Sequence, residues 1–575
     1  MIRPVLAAAA ALALACIPAE AAERAVAATA APRPNVIVLM TDDQTVETLR
    51  VMPNVRRLIG DEGVTFDASY VSFSLCCPSR ATFLTGQYAH NHGVLSNRPP
   101  DGGYYKLDSA NTLPVWLQRS GYETVLVGKY LNAYGYLNPI EVPPGWSEWR
   151  ATVDPSSYNY FNYTLNEGGT LIRFLDLPWQ YQTDVIGERA VEIVQRRAPE
   201  AAPYFLWVSF LAPHANAMEG QPPPPGRPFG VPVPAPRHDG AFAGEPLPTP
   251  PSFNEPDVSD KPAAIRALAG IDERLAGFMQ ENYRRRLESL LAVDEAVAKI
   301  VDAAARSGEL ANTLIVFTSD NGYLIGEHRI PNGKVLPYEP SVRVPLLVRG
   351  PGIPRGRRLG QPVWNGDLPA TILDLAQASP GRPQDGRSLV PLFRDQERDW
   401  GRDLLLESLS GEGRQSRYTA IHTPWYMYAE YATGDRELYD LRRDPDQLDS
   451  LHDSVSLAPV RDELARRLRA LRPCAAAGCL AAPALRVDVG FRRGPAGCAR
   501  GPVTVRVAGA DTRWLLRVTF AVDRRGQALA TAPPFSGRIS PAAFRRGRPS
   551  LVRARAVLVD GRTLTFDRRL TRCAA

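Results

Sequence analysis

Past its N-terminal stretch, this 575-residue sequence has no apolar run long enough to cross a bilayer, so no internal membrane anchor is expected. It lacks internal repeats, which excludes a solenoid or propeller array, and it lacks long blocks of like charge. The net charge is only +6, from 67 basic and 61 acidic side chains, and does not mark a nucleic-acid partner. Cysteine is scarce, with seven in all, and unevenly placed. Cys474, Cys479, Cys498 and Cys573 share the C-terminal region, where an exported module would join them as two disulfides in one of three pairings. Loop length favours Cys474–Cys479 with Cys498–Cys573. Cys76 and Cys77 stand side by side and do not fit that framework.

What is present begins with a leader. Arg3 precedes an apolar run from Val5 to Ala15, and Ala19-Glu20-Ala21 offers the small residues of a cleavage site. This reads as a secretory signal peptide over residues 1–21, too short to be a membrane span. Ala13-Leu14-Ala15 makes a poor lipobox before Cys16, so plain cleavage near Ala21 or Ala22 is expected, with a secreted or periplasmic protein as the product.

The following residues, to about Arg33, read as a disordered leader. Then comes a continuous β-branched run, Asn35 to Met40, suited to a strand buried on both faces. Similar runs lie at Glu123–Val127, Tyr204–Leu211, Thr313–Thr318 and Val344–Val348. Between them the clearest helical pattern is Asn282 to Ala305, whose apolar stripe is interrupted by Asp294; that acid is expected to meet a polar partner or lie at the stripe's edge. Strands alternating with helices predict an α/β domain with a central mixed, mostly parallel sheet. A Pro- and Gly-rich stretch from Ala217 to Ser252 reads as a long surface loop. The composition changes again at Arg472-Pro473-Cys474. Beyond it, Val503–Val507, Trp514–Val522 and Leu551–Val559 predict a small all-β sandwich. The expected organisation is therefore a domain over residues 33–472, with a smaller subdomain from about 353, and a disulfide-containing module over 474–575.

Two strand ends carry acids. The first apolar run leads into Thr41-Asp42-Asp43 and the fourth into Ser319-Asp320-Asn321. In open α/β sheets ligands gather beyond the carboxyl ends of the strands. Three carboxylates and a carboxamide are hard oxygen ligands suited to Ca²⁺ or Mg²⁺. Taken singly, an acid after a strand is an ordinary turn former or helix cap.

The stretch Cys76 to Gly86, CCPSRATFLTG, resembles the signature of the sulfatase family, C-x-P-S-R followed by Thr-Gly. The resemblance covers roughly residues 33 to 470. It takes in Gly128-Lys129, Ala212-Pro213-His214, Asp320-Asn321-Gly322, and Gly333-Lys334 through Tyr338-Glu339 to Val342-Arg343. It ends with Glu437-Leu438-Tyr439-Asp440-Leu441 and Asp444-Pro445. Within the family the text looks most like N-acetylglucosamine-6-sulfatases, on Gly128 to Asn132, Tyr160 to Leu165 and Ser319 to Tyr323.

The resemblance implies an alkaline-phosphatase-like sulfatase fold and hydrolysis of a sulfate monoester. It implies that Cys76 is oxidised to formylglycine by a formylglycine-generating enzyme, with Cys77 at the variable position. An aldehyde there hydrates to a diol; one hydroxyl attacks sulfur and expels the alcohol, and the second expels sulfate as the aldehyde re-forms. Asp42, Asp43, Asp320, Asn321 and the modified Cys76 would hold a divalent metal, Ca²⁺ or Mg²⁺. Arg80 would steady the modified side chain and the carboxylates. Lys129, His214 and Lys334 would face the sulfate, and His214 or Lys334 would protonate the leaving oxygen. The implied substrate is 6-O-sulfated N-acetylglucosamine, with aryl sulfates as surrogates.

The chain departs from the family pattern at Leu131, where many sulfatases carry histidine; His90 or His92 is a candidate replacement. His328 follows Asp320-Asn321 closely, and His238, His422 and His452 carry no motif. One competing reading is a phosphonate monoester or phosphodiester hydrolase of the same superfamily, separable by parallel assays. Another is a non-catalytic glycan-binding protein, which predicts missing ligands or a missing Arg80, whereas every position here is filled. The C-terminal module would either bind polysaccharide or pack on the catalytic domain.

Overall fold

The computed structural model describes residues 33–574 apart from 199, 201, 217–226, 397, 410–416 and 481–482. The expected signal peptide, its cleavage site and Cys16 lie outside the described residues, as does part of the Pro- and Gly-rich loop.

The main element is a ten-stranded mixed sheet. From edge to edge its strands are Arg357–Leu359, Val64–Phe66, Leu346–Arg349, Thr313–Ser319, Asn35–Thr41, Tyr204–Ser209, Glu123–Gly128, Glu148–Thr152, Thr164–Glu167 and Thr170–Arg173. The five central strands, Thr313–Ser319 through Glu148–Thr152, run parallel, and antiparallel pairs flank them on both sides. The apolar run Asn35–Met40 is continuous because both faces are covered. Val36, Val38 and Met40 join a core with Ala81, Phe83 and Trp207, while Ile37 and Leu39 join another with Tyr283, Leu287 and Ile193. The fifth expected strand begins later than the apolar run suggested, at Leu346, since Pro345 has no N–H to give a ladder.

The predicted helix is longer than its stripe, Glu273–Arg306, and starts at Asp272, whose side chain accepts from Leu275 N at 2.8 Å. Asp294 meets a polar partner as expected. Its carboxylate accepts the backbone N–H groups of Asn54 and Val55 at 3.1 and 2.8 Å, satisfying the start of the short helix Pro53–Val55.

A four-stranded antiparallel sheet, Leu404–Ser408, Tyr418–His422, Tyr426–Tyr431 and Arg436–Asp440, is backed by helix Ala458–Leu471. The Glu437 phrase lies here and is structural: its buried carboxylate accepts from the hydroxyls of Tyr338 at 2.8 Å, Tyr439 at 2.6 Å and Tyr431. The C-terminal residues form antiparallel sheets of three and four strands around one apolar core that includes Val505, Phe520 and Ala554. Disulfides join Cys474 to Cys479 and Cys498 to Cys573, and Cys76 and Cys77 are free and buried. At the seam, Arg467 binds both Asp403 and Asp560, and Arg562 binds Asp560 at 2.9 Å, a buried ion network that docks the module. No helix among the described residues is long and apolar enough to cross a membrane.

Candidate active site

The signature is one helix, Cys76–Thr85, aimed at the carboxyl ends of the central strands. Pro78 sits in its first turn, where a missing N–H costs nothing. Gly86 ends it with φ +70° in the left-handed region, so the Thr-Gly that closes the pattern is a helix cap. Cys76 at the first helical position is fully buried, with Sγ 3.3 Å from Asp42 Oδ1 and 2.9 Å from Lys334 Nζ. Burial, then Asp42, pushes its thiol pKa well up, against the pull of Lys129 and Lys334. An unmodified Cys76 is therefore held as a neutral thiol, a weak nucleophile. Ser79 donates to Asp320 O and accepts from Asn365 Nδ2 at 2.9 Å, tying the helix to the other acid cluster.

Arg80, one turn after Cys76, is wholly buried and uses every guanidinium nitrogen. Nε donates to Asp320 Oδ2 at 2.7 Å. Nη1 donates to Ser209 Oγ at 2.7 Å and to the carbonyls of Lys129 and Tyr130 at 3.0 and 3.2 Å. Nη2 lies 3.5 Å from Asp42 Oδ2. It thereby fastens four strand ends to the signature helix.

Consecutive strand residues face opposite sides of a sheet. Asp43 escapes that alternation with φ +67°, so both Asp42 and Asp43 serve the site. Lys129 binds Asp42 Oδ2 and lies 4.4 Å over the Tyr158 ring. Its Gly128 is required: at φ +104° an added Cβ would stand 2.0 Å from Ser209 O. Lys334 binds Asp43 Oδ1 at 2.5 Å. His214 shares Nδ1 with Ala215 O at 2.8 Å, which leaves Nε2 3.6 Å from Asp43 Oδ2. Burial raises the Asp42 pKa, but Lys129, His214, Arg80 and Lys334 together outweigh it and hold the group below the usual carboxylate range. Asp43 is lowered likewise, burial being outweighed chiefly by Lys334 and His214. Asp320 is pushed up, by burial first and then by Asp42, despite Arg80.

Asp42, Asp43, Cys76 and His214 bring one donor atom each within 4.8 Å of one another. Asn321 donates from Nδ2 to Asp43 Oδ1 at 2.6 Å, while its buried Oδ1 has no partner among the described residues. Mutually repelling carboxylates beside an orphaned carboxamide oxygen fit a hard divalent cation.

All nine sequence-selected residues are thus brought together. The replacement histidines are not. His90 lies between Glu407 Oε2 at 2.9 Å and Cys474 O at 2.8 Å, and His92 faces Thr82 Oγ1 at 3.1 Å. Leu131 is core, and Asn132 donates to the Tyr158 hydroxyl at 2.5 Å. His328 pairs with Glu255 at 2.6 Å. Sequence reading missed Arg286, which donates to the carbonyls of Asp43 and Pro213 and stacks 4.4 Å over Tyr323. Its signal was present: a charged residue inside the buried stripe of the long helix, as with Asp294.

Family models match "Sulfatase" over residues 34–378 and "N-sulphoglucosamine sulphohydrolase, C-terminal" over 326–473. The chain is 34% identical to an arylsulfatase of Volvox carteri over 504 residues, 79% of this chain and 76% of that protein. It is 32% identical to an N-acetylglucosamine-6-sulfatase of Homo sapiens over 493 residues, 78% of this chain and 86% of that protein. A solved protein in complex with its substrate D-glucosamine-2-N,6-O-disulfate superposes with TM-score 0.65 at 25% identity, over 76% of this chain and 97% of that one. With its signature helix, acid clusters and sheet all answering to one pattern, the chain belongs to the sulfatase family and is a sulfuric ester hydrolase.

Proposed function

We propose that the chain hydrolyses sulfate monoesters of N-acetylglucosamine-type sugars, most directly the 6-O-sulfate, with formylglycine made from Cys76 and a bound divalent cation, Ca²⁺ before Mg²⁺. The observation that carries this is the position of Cys76 at the start of its helix, between Asp42 on one side and Lys334 on the other. The N-acetylglucosamine-6-sulfatase relative and the disulfated-glucosamine complex support the sugar.

Asp42, Asp43, Asp320 and Asn321 would hold the cation, which supplies positive charge to ionise a hydroxyl of the hydrated aldehyde and to polarise the ester. Three buried carboxylates face Arg80, Lys129 and Lys334, so a divalent ion leaves the centre with an excess of two positive charges, matched to an anionic ester. Arg80 fixes Asp320 and Asp42 and leaves no nitrogen for substrate. Lys129 and Lys334 stabilise charge on the sulfate oxygens, and His214 Nε2 or Lys334 Nζ gives the proton to the leaving alcohol. Arg286 positions Asp43 through its carbonyl. The two disulfides support an exported protein, matured by a formylglycine-generating enzyme.

The test is mass analysis of the peptide containing Cys76 after co-expression with the maturation enzyme, alongside turnover of N-acetylglucosamine-6-sulfate and of a phosphate diester. The aldehyde is expected at Cys76 and not at Cys77, with the sulfate ester the faster substrate. Full activity from an unmodified peptide would sink the mechanism, and a dominant diester rate would sink the reaction.

A further inference from the structure

The whole-chain charge of +6 conceals an asymmetry. Residues 474–575 hold 19 arginines, five aspartates and neither lysine nor glutamate, a formal charge of +14 that leaves residues 1–473 at −8. Most of those arginines are exposed. In the three-stranded sheet Arg492 stands directly across from Arg500, a like-charged pairing that weakens a sheet and that an overlying anion would relieve.

Two cavities carry this positive surface onto the catalytic domain. One, of about 800 Å³, lies in the seam: Arg553, Arg555 and Arg562 line it from the module and Arg357, Arg358 and Arg398 from the opposite wall, against the single carboxylate of Asp399. A second, of about 750 Å³, shares Arg357 and Arg358 and continues to Arg50, Arg56, Arg57 and Arg343, against Asp61 and Asp67. Arg343 also lines a cavity of about 470 Å³ that reaches Thr45 and Tyr323, but Glu47, Glu327 and Glu339 line that one too, so the arginine track ends at Arg343. Some of these arginines are neutralised, Arg553 by Asp567, Arg562 by Asp560 and Arg358 by Asp67. Arg357, Arg398 and Arg555 form no ion pair within 4 Å among the described residues, and Arg555 acts on Asp399 only at longer range. Trp400, 5% exposed, lines the seam with an indole N–H that has no acceptor among the described residues.

A single small anion needs one pocket. Arginines strung along joined cavities fit a chain that carries anions at intervals, and the guanidinium fork suits sulfate oxyanions. Thr563, Thr565, Gln361 and Gln396 line the same seam and offer hydrogen bonds to sugar hydroxyls. We propose that this arginine-lined seam is a second binding site, distinct from the catalytic centre, that holds a sulfated polysaccharide and so tethers the enzyme to polymeric substrate. The choice of a sulfated glycan rests on sulfate-ester hydrolysis as the reaction.

The test compares matured wild-type enzyme with the triple variant Arg357→Ser, Arg398→Ser, Arg555→Ser, three side chains with no ion pair within 4 Å among the described residues and outside the catalytic centre. The probes are dextran sulfate, unsulfated dextran and double-stranded DNA. Wild type is expected to bind dextran sulfate and not dextran. The variant should bind about tenfold more weakly at about 0.1 M salt, with a shallower salt dependence, because fewer counterions are released. Its melting temperature and its turnover of a small aryl sulfate, which does not span the seam, should match wild type. Equal affinity of variant and wild type for dextran sulfate would overturn the seam as the site. Tighter binding of DNA than of dextran sulfate would overturn the glycan assignment. Absent aryl-sulfate turnover in wild type bears on the proposed reaction alone, since polymer binding is read without turnover.

Discussion

Replacing Arg80 by alanine tests whether its guanidinium is the clamp of the site. The change removes the 2.7 Å pair with Asp320 and the donors to Ser209 Oγ and to two carbonyls. Breaking a buried pair and stranding the other charge costs about 3–5 kcal/mol. Each carbonyl that loses its donor adds about 1 kcal/mol. The expected loss is about 5–7 kcal/mol, measured by denaturant unfolding of chelator-treated protein. Arg80→Lys keeps the charge, but one ammonium cannot reach Asp320 and the carbonyls together, and about 2 kcal/mol should be lost. Because much of the alanine penalty is the stranded Asp320 charge, adding Asp320→Asn should recover about 2 kcal/mol relative to the sum of the single changes. A cost for Arg80→Ala below about 1 kcal/mol, or strict additivity with Asp320→Asn, would refute the clamp.

Chelation should abolish turnover of an aryl sulfate, and adding back Ca²⁺ or Mg²⁺ at a hundredfold excess over its Kd should restore it and raise unfolding stability by about 2.7 kcal/mol; unchanged stability on refilling would count against a cation at the acid clusters. Cys498 and Cys573 are 75 residues apart, so Cys498→Ser with Cys573→Ser should destabilise by about 2–4 kcal/mol while aryl-sulfate turnover in folded protein is retained. Burial, then Arg382 and His90, holds the His92 pKa down to about 3, against an ordinary 6.5. Below pH 6.5 the unfolded chain binds a proton that the folded one refuses, so stability should fall by about 1.4 kcal/mol per pH unit from pH 6 towards pH 4. His92→Asn, which can still accept from Val94 N, should remove that component of the slope in pH-dependent unfolding.

The sequence by itself determined what depends on neighbours along the chain. Cys76, Pro78, Arg80 and Gly86 are a nucleophile, a first-turn proline, a residue one turn on and a cap, all within one helix, so their spacing carries their geometry. The apolar runs marked the central strands, and the acids at two of their ends marked the face on which ligands gather. The terminal cysteines foretold their partners because the short loop from Cys474 to Cys479 closes at low entropic cost and leaves Cys498 for Cys573.

Only the tertiary structure decided which distant groups meet. His90 and His92 follow the signature closely, yet one is drawn to Glu407 and the other to Thr82, because a helix that ends at Thr85 carries them past the site. Arg286 reaches Asp43 from a helix more than two hundred residues away, and Lys129 meets Asp42 while Lys334 meets Asp43 and Cys76, from segments about two hundred residues apart. The joined, arginine-lined cavities at the seam were likewise hidden in a modest net charge. Spacing in sequence fixes distance only within a turn of helix or a single strand; across the sheet, distance is set by which faces must be buried together.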